Sequence, residues 1–310
     1  MRAALKTGLR LRNRMNRVGL TVATLLLLQS LSCLRDSASA ESKSFLWKVR
    51  SKTNTVYLLG SIHLLKKEMY PLDRKIEEAF QQSDVLAVEA NLNGPIQLDL
   101  QKMLEKAIYS DNGDTLEGHV SAETYEVVKK KAGELGIPFE LLTKQKPWFL
   151  GLMFTSVGFL KLGFDPAYGI DQYFLSKATG KKTVLELESL DYQLNLLSNF
   201  SDRDQEKFLL MALKDLDTLG QDVDKFLRAW ATGDTKGLER MATQSMTEDS
   251  RLSSVHEVLI YDRNKKMVSR IEEYLKTKEA YFVVVGAAHL IGEKGIVELL
   301  KSKGYSVEQM

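Results

Sequence analysis

The chain has 310 residues, with 43 Lys and Arg against 41 Asp and Glu, 44% hydrophobic residues and one cysteine. A net charge of +2 gives no basic footprint for nucleic acid, and the lone Cys33 excludes both an intrachain disulfide and a four-cysteine zinc site. The length is ample for a sizeable hydrophobic core without such staples.

The first 40 residues differ from the rest. They carry seven Lys or Arg and one Asp, a net +6, so the remaining 270 residues carry a net −4. The basic stretch from Arg2 to Arg17 runs into an apolar run over Val18 to Leu28. That run is too short to span a membrane comfortably, and a charged segment before a short apolar one is the pattern of a secretory signal. Ala38, Ser39 and Ala40 form a small-x-small cleavage site, which predicts a signal peptide over 1–40 and a mature start at Glu41. Cys33, just after the apolar run, keeps open a lipid-anchored product, and an uncleaved anchor or a cytoplasmic form is a third reading. Export is expected, to the periplasm or the exterior, with membrane attachment only through the signal or a lipid.

Residues 45–49 (FLWKV) and 55–60 (TVYLLG) read as two strands joined by a polar turn. A helix is expected from Arg74 to Gln82 and a buried strand over 85–91 (VLAVEAN), a strand–helix–strand order of α/β type. From about 98 to 164 the pattern is helical. It includes WFLGLMFTSVGFLKLGF after Pro147, whose 17 residues with three glycines and Lys161 suit a buried helix better than a membrane span. A helix from Asp171 to Ala178 and a strand over 183–188 (TVLELE) repeat the α/β order, and 192–246 is again helical. A helix from Arg263 to Lys276, a strand from Tyr281 to Val285, a helix from Ile296 to Lys303 and a short terminal strand complete the chain. The fold expected is α/β: a mixed sheet core built from both chain ends in a pseudo-repeated arrangement, with helical cover over 98–164 and 192–246. Residues 41–310 are read as a single domain.

One phrase occurs twice. TVYLLGSIHLLKKE holds Gly60 and His63, and AYFVVVGAAHLIGEKG holds Gly286 and His289, so two of the four histidines follow the same strand, Gly-x-x-His and Leu pattern. Glycine permits a turn that a side chain would obstruct, and a histidine beyond a buried strand can bind metal or move a proton. Pairing the two strands in one sheet would bring His63 and His289 together. Glu89, in an otherwise apolar strand, is costly to bury unless paired or ligated. It is the best acid for a third ligand or a general base. Asp171 at a helix start is a further ligand candidate, with an alternative reading as a helix cap. Glu188 at a strand end is an alternative base, and Arg263 could hold a substrate carboxylate or an oxyanion. Two histidines with carboxylates suit a divalent transition metal, zinc or iron included. His119 and His256 lack matching contexts. There is no HExxH, P-loop or Gly-x-Ser-x-Gly motif.

The segments YLLGSIHLLKKEMYPL, DVLAVEAN, AYGIDQYF, VLELESLDYQ, RAWATGD, YDRNKKM and VVVGAAHLIGEKGIVELLKSKGYSV, in this order, resemble the TraB/PrgY/GumN family, which is related to the Tiki proteases. The resemblance implies a fold akin to that of erythromycin esterases and ChaN-like proteins. It also implies a metal-dependent hydrolase that uses the paired Gly-x-x-His histidines, here His63 and His289 with Glu89, and favours manganese or cobalt. PrgY-type members act against a peptide pheromone, GumN-type members have no settled activity, and bacterial members are commonly exported. The expected function is an exported metal-dependent peptidase with a peptide or small-molecule substrate. The alternative is a non-catalytic peptide-, haem- or metal-binding protein of the same fold.

Overall fold

The computed structural model describes residues 43–91, 96–110, 113–248 and 253–310; the leader expected over 1–40, with Cys33, lies outside the described residues. Six strands form one mixed sheet in the order β4-β3-β5-β2-β1-β6. Strands β1 (Leu46–Arg50) and β2 (Thr55–Ser61) pair antiparallel, with Leu46 opposite Leu59. Helix α1 (Arg74–Gln81) starts at Asp73, whose carboxylate accepts from the Lys75 amide at 2.7 Å, and buries Ile76, Ala79 and Phe80. It leads to β3 (Val85–Val88), which is buried throughout.

The helical cover follows with α2 (Ile96–Ala107), α3 (Ala122–Leu135) and α4 (Pro147–Lys161). Then α5 (Ile170–Ala178) and β4 (Thr183–Glu186) return to the sheet, and α6 (Leu190–Ser198), α7 (Asp202–Ala231) and α8 (Thr235–Glu248) complete the cover. The short α9 (Ser253–His256) passes through a π-helical turn, Glu257–Tyr261, into α10 (Asp262–Tyr274). Strand β5 (Tyr281–Gly286), the single turn α11 (Ala287–Leu290), α12 (Ile296–Ser302) and β6 (Ser306–Gln309) end the chain.

The two chain ends make the sheet, as the apolar strands require. β2 and β5 lie side by side and parallel, with Gly60 opposite Val285 and Ser61 opposite Gly286. β3 lies parallel to both β5 and β4, so β4, β3, β5 and β2 all run the same way. β2, β3 and β5 are buried almost throughout, covered on both faces, which is why YFVVVG reads as a continuous apolar run. The long apolar stretch after Pro147 forms α4 and packs on α7. A Cβ on Gly151 would lie 2.9 Å from the Phe208 ring and one on Gly158 would lie 2.2 Å from Leu216 Cδ1, so glycine lets the helices approach closely. The cover has its own cores, one of them around Leu150, Phe154, Leu209 and Leu213. Among the described residues no helix is long and apolar enough to cross a membrane.

Three expectations need correction. The strands written VLAVEAN and TVLELE end at Val88 and Glu186, so Glu89 and Glu188 stand just past the strand ends rather than within them. The repeated phrase does not give repeated geometry: β2 runs on to an open segment at His63, whereas Gly286 leads straight into helix α11, which contains His289. Neither Gly60 nor Gly286 has a positive φ, so the glycines serve close packing rather than a special turn. A Cβ on Gly60 would lie 2.4 Å from Phe45 Cδ1.

Candidate metal centre

The C-terminal ends of four parallel strands carry the predicted side chains. Along the sheet edge these are Glu188 beyond β4, Glu89 beyond β3, His289 beyond β5 and His63 beyond β2. In open α/β sheets this edge is where ligands bind. Ser61, Glu89, Asp171, Glu188 and His289 are buried polar residues there, while 61% of the His63 side chain is exposed at the rim.

Each imidazole is tied through Nδ1. His63 Nδ1 donates to Asp171 Oδ2 at 2.8 Å, and Asp171 Oδ1 accepts from Ser61 Oγ at 3.0 Å. Gly169 caps α5, so Asp171 in its first turn is free to face His63 rather than the helix end. His289 Nδ1 donates to Asn264 Oδ1 at 2.6 Å, while Asn264 Nδ2 donates to the Lys294 carbonyl at 2.9 Å. That second bond fixes which end of the amide faces the ring. Both Nε2 atoms are thereby the ring positions left for a ligand, the arrangement common to metal-binding histidines.

Glu89 joins the two sides. Its Oε1 accepts from the Gly286 amide at 2.5 Å and lies 3.7 Å from His289 Nε2. Its Oε2 accepts from Arg263 Nη2 at 2.7 Å and from Gln193 Nε2 at 3.3 Å. Arg263 also donates through Nε to Glu188 Oε2 at 2.9 Å and through Nη1 to the Leu259 carbonyl at 3.0 Å, within the π-helical turn. Gln193 donates to Glu188 Oε2 at 3.2 Å as well. As it stands, Arg263 bridges the two acids, and all three of its nitrogens are engaged.

Protonation follows from this. Burial would raise the Glu89 pKa, but His289, Arg263, His63 and the Gly286 amide together hold it down to about 2. Burial pushes His289 down to about 4 against the pull of Glu89, so it is neutral near pH 7 with an open lone pair and Arg263 is the constant cation beside Glu89. The Asp171 charge raises His63 above its ordinary value, with burial opposing. Because 61% of its side chain is exposed, water screens that pair and moderates the rise.

A Cβ built on Gly286 would lie 3.3 Å from Glu89 Oε1, 3.5 Å from His289 Cδ2 and 3.8 Å from His63 Nε2. Glycine thus leaves open the space onto which the three side chains converge. Among the described residues no three His, Cys, Asp or Glu side chains are grouped closely enough to hold a metal ion as they stand. The donor set is nevertheless of the right kind: two imidazoles oriented from behind, one ionised carboxylate, and a cradle between them. Gln193, Ser61 and the role of Asn264 have no periodic signal in the sequence. Asn264 lies 25 residues from the histidine it orients and Gln193 lies 104 from Glu89, so only the fold joins them.

The model of the TraB/PrgY/gumN family matches residues 45–309. Among curated relatives, the uncharacterized protein YbaP of Escherichia coli is 25% identical over 252 residues, covering 79% of this chain and 87% of that protein. A metalloprotease TIKI homolog of Amphimedon queenslandica is 22% identical, over 94% of this chain and 66% of its own length. Metalloprotease TIKI2 of Danio rerio is 22% identical, over 89% of this chain and 62% of its own length. No solved structure matches the chain.

Proposed function

Because the chain belongs to the TraB/PrgY/gumN family, we propose that it is a metal-dependent hydrolase that cleaves peptide bonds. The observation that carries this reading is the pair of imidazoles with Nδ1 tied by Asp171 and Asn264, facing the Gly286 cradle with Glu89 Oε1. Distant relatives named as metalloproteases support the hydrolase class.

His63, His289 and Glu89 would hold the cation, with Asp171 behind His63 rather than beside the ligands. Manganese or cobalt is the first choice by family resemblance, and the nitrogen and oxygen donors also suit zinc or iron. Such a cation, when bound, supplies Lewis acidity for acidifying water and polarising a carbonyl. Glu89, held ionised by its neighbours, suits ligation better than proton uptake. We assign to Glu188 the taking and return of a proton, and to Arg263, which holds both carboxylates, the positive charge that would serve a developing oxyanion. Residues 1–40 support export, to a compartment where peptides or small molecules are the substrates.

The test is cleavage of a mixed peptide pool by the purified protein with manganese or cobalt added, followed by mass spectrometry. Cleavage lost in both His63→Ala and His289→Ala supports the reading. Cleavage that persists in both variants refutes it. The engagement of all three Arg263 nitrogens favours one second reading, peptide binding without turnover, which predicts retention of peptides in the wild type with no products over time.

A further inference from the structure

Gln193 stands where the two acids of the centre meet, and the chemistry above gives it no part. Helix α6 begins soon after Glu188: Ser189 Oγ accepts from the Tyr192 amide at 3.1 Å, and the Gln193 amide donates to the Ser189 carbonyl at 3.2 Å. Leu194 anchors the helix in the core that holds Trp148 and Phe208. Lys266 Nζ donates to Tyr192 Oη at 2.8 Å and so ties α6 to α10, the helix that carries Arg263. The Gln193 side chain therefore projects from the first turn of an anchored helix.

Its amide orientation is fixed. Nε2 donates to Glu188 Oε2 at 3.2 Å and to Glu89 Oε2 at 3.3 Å. Ionised carboxylates only accept, so the nitrogen faces them and Oε1 faces away. Among the described residues Oε1 has no hydrogen-bond partner, and it is not sealed from solvent. Glu89 turns Oε1 to the Gly286 cradle and Oε2 to Gln193. An oriented acceptor without a partner thus lies one carboxylate away from the cradle, on the side of Glu188.

Resting on the hydrolase reading, we propose that Gln193 Oε1 accepts the N–H of the peptide bond that is cleaved, and so sets the leaving nitrogen beside Glu188. The substrate class is then peptides cut at secondary amides. A bond to proline, whose nitrogen carries no hydrogen, is refused, and an ester gains nothing from the acceptor. The protons balance. Water gives one proton to Glu188 and its hydroxyl to the carbonyl carbon. The C–N bond then breaks, and the nitrogen leaves as an amine that keeps the hydrogen shared with Gln193 and takes a second one from Glu188.

The test pairs a change in the protein with a change in the substrate. The probes are one peptide found cleaved in the pool and the same peptide made with an ester oxygen in place of the nitrogen of the cleaved bond. Both are given, with manganese, to the wild type and to Gln193→Met, whose fold is checked by circular dichroism. Losing the two bonds to the acids affects both probes alike, whereas losing the acceptor affects the amide alone. The proposal predicts that Gln193→Met lowers kcat/KM for the amide by about tenfold more than for the ester. Equal loss for the two probes shows that Gln193 only holds the acids; it overturns the proposal and leaves the hydrolase standing. A second measurement needs no variant: bonds before proline should be missing among those the wild type cleaves in the pool. Cleavage before proline as readily as before other residues overturns the proposal too. No cleavage of any peptide in the pool removes the hydrolase, and the proposal with it.

Discussion

His289 Nδ1 and Asn264 Oδ1 meet at 2.6 Å, and both residues are buried. An amide oxygen can only accept, so the ring proton sits on Nδ1 and the lone pair sits on Nε2, towards Glu89. Replacing Asn264 with Leu leaves a buried N–H without a partner, at a cost of about 1–3 kcal/mol. It also frees the ring to turn, for a loss of about 10–100-fold in metal affinity. Urea denaturation and metal titration of the same variant measure the two effects. Unchanged metal affinity would show that Asn264 does not set the ligand geometry.

Arg263 holds two buried acids, at 2.7 Å to Glu89 and 2.8 Å to Glu188. Arg263→Met leaves both without a cation and is expected to destabilise the fold by about 3–5 kcal/mol, as breaking a buried pair from one side does. Adding Glu188→Gln to Arg263→Met should recover part of that loss. Denaturation midpoints of the wild type, both single variants and the double variant close the cycle.

The two acids should separate by readout. Glu89→Gln is expected to lose metal and activity together, because Glu89 Oε1 faces the cradle. Glu188→Gln should keep the metal and lose about 10²–10⁴-fold in kcat, the usual share of a positioned proton carrier. Metal content and kcat measured on the same preparations decide the assignment, and metal loss in Glu188→Gln would reverse it.

Two histidines predict opposite pH slopes in chelator-treated protein. His289 has a folded pKa of about 4 against 6.5 unfolded, so the unfolded chain takes up its proton first. Stability from this group therefore falls as pH drops from 6.5 towards 4, by a few kcal/mol in all (roughly 1.4 kcal/mol per pH unit), and the slope should be absent in His289→Gln.

His119 runs the other way. Burial lowers its pKa, but hydrogen bonds to Asp202 and Asp114 raise it more, so the net shift is upward. Its contribution is full below 6.5 and is lost as pH rises through the folded value. Because Asp202 and Asp114 are partly exposed, the gap between wild type and His119→Gln is expected to be about 1 kcal/mol at most, larger at pH 6 than at pH 9.

The two glycines of the repeated phrase should also part company. Gly60→Ala drives a methyl into the Phe45 ring and is expected to cost about 1–3 kcal/mol. Gly286→Ala meets Glu89 Oε1 at 3.3 Å, so it should weaken metal binding more than stability. Thermal melts with and without added manganese distinguish the two.

The sheet was readable because β2 and β5 are continuous apolar runs that need covered neighbours, and placing them side by side brings the strand-end residues to one edge. His63 and His289 stood out as polar residues beyond the ends of such runs, and Glu89 as an acid within one. Asp171 and Arg263, which support them, stood out too, but Gln193 and the role of Asn264 did not. Asn264 and Gln193 are ordinary helix residues whose partners lie far along the chain, and the π-helical turn before Arg263 leaves no mark in the apolar spacing. The asymmetry between the two histidines was hidden for the same reason. The same Gly-x-x-His-Leu pattern leads in one case to the rim and in the other to a buried helix turn.

The most direct test of the central claim is the metal content of the protein purified without chelator, beside a His63→Ala, His289→Ala double variant. About one equivalent of a divalent transition metal in the wild type, absent from the folded double variant, is the expected result. Failure of the wild type to take up manganese, cobalt, zinc or iron on reconstitution, or equal uptake by the double variant, would contradict the account.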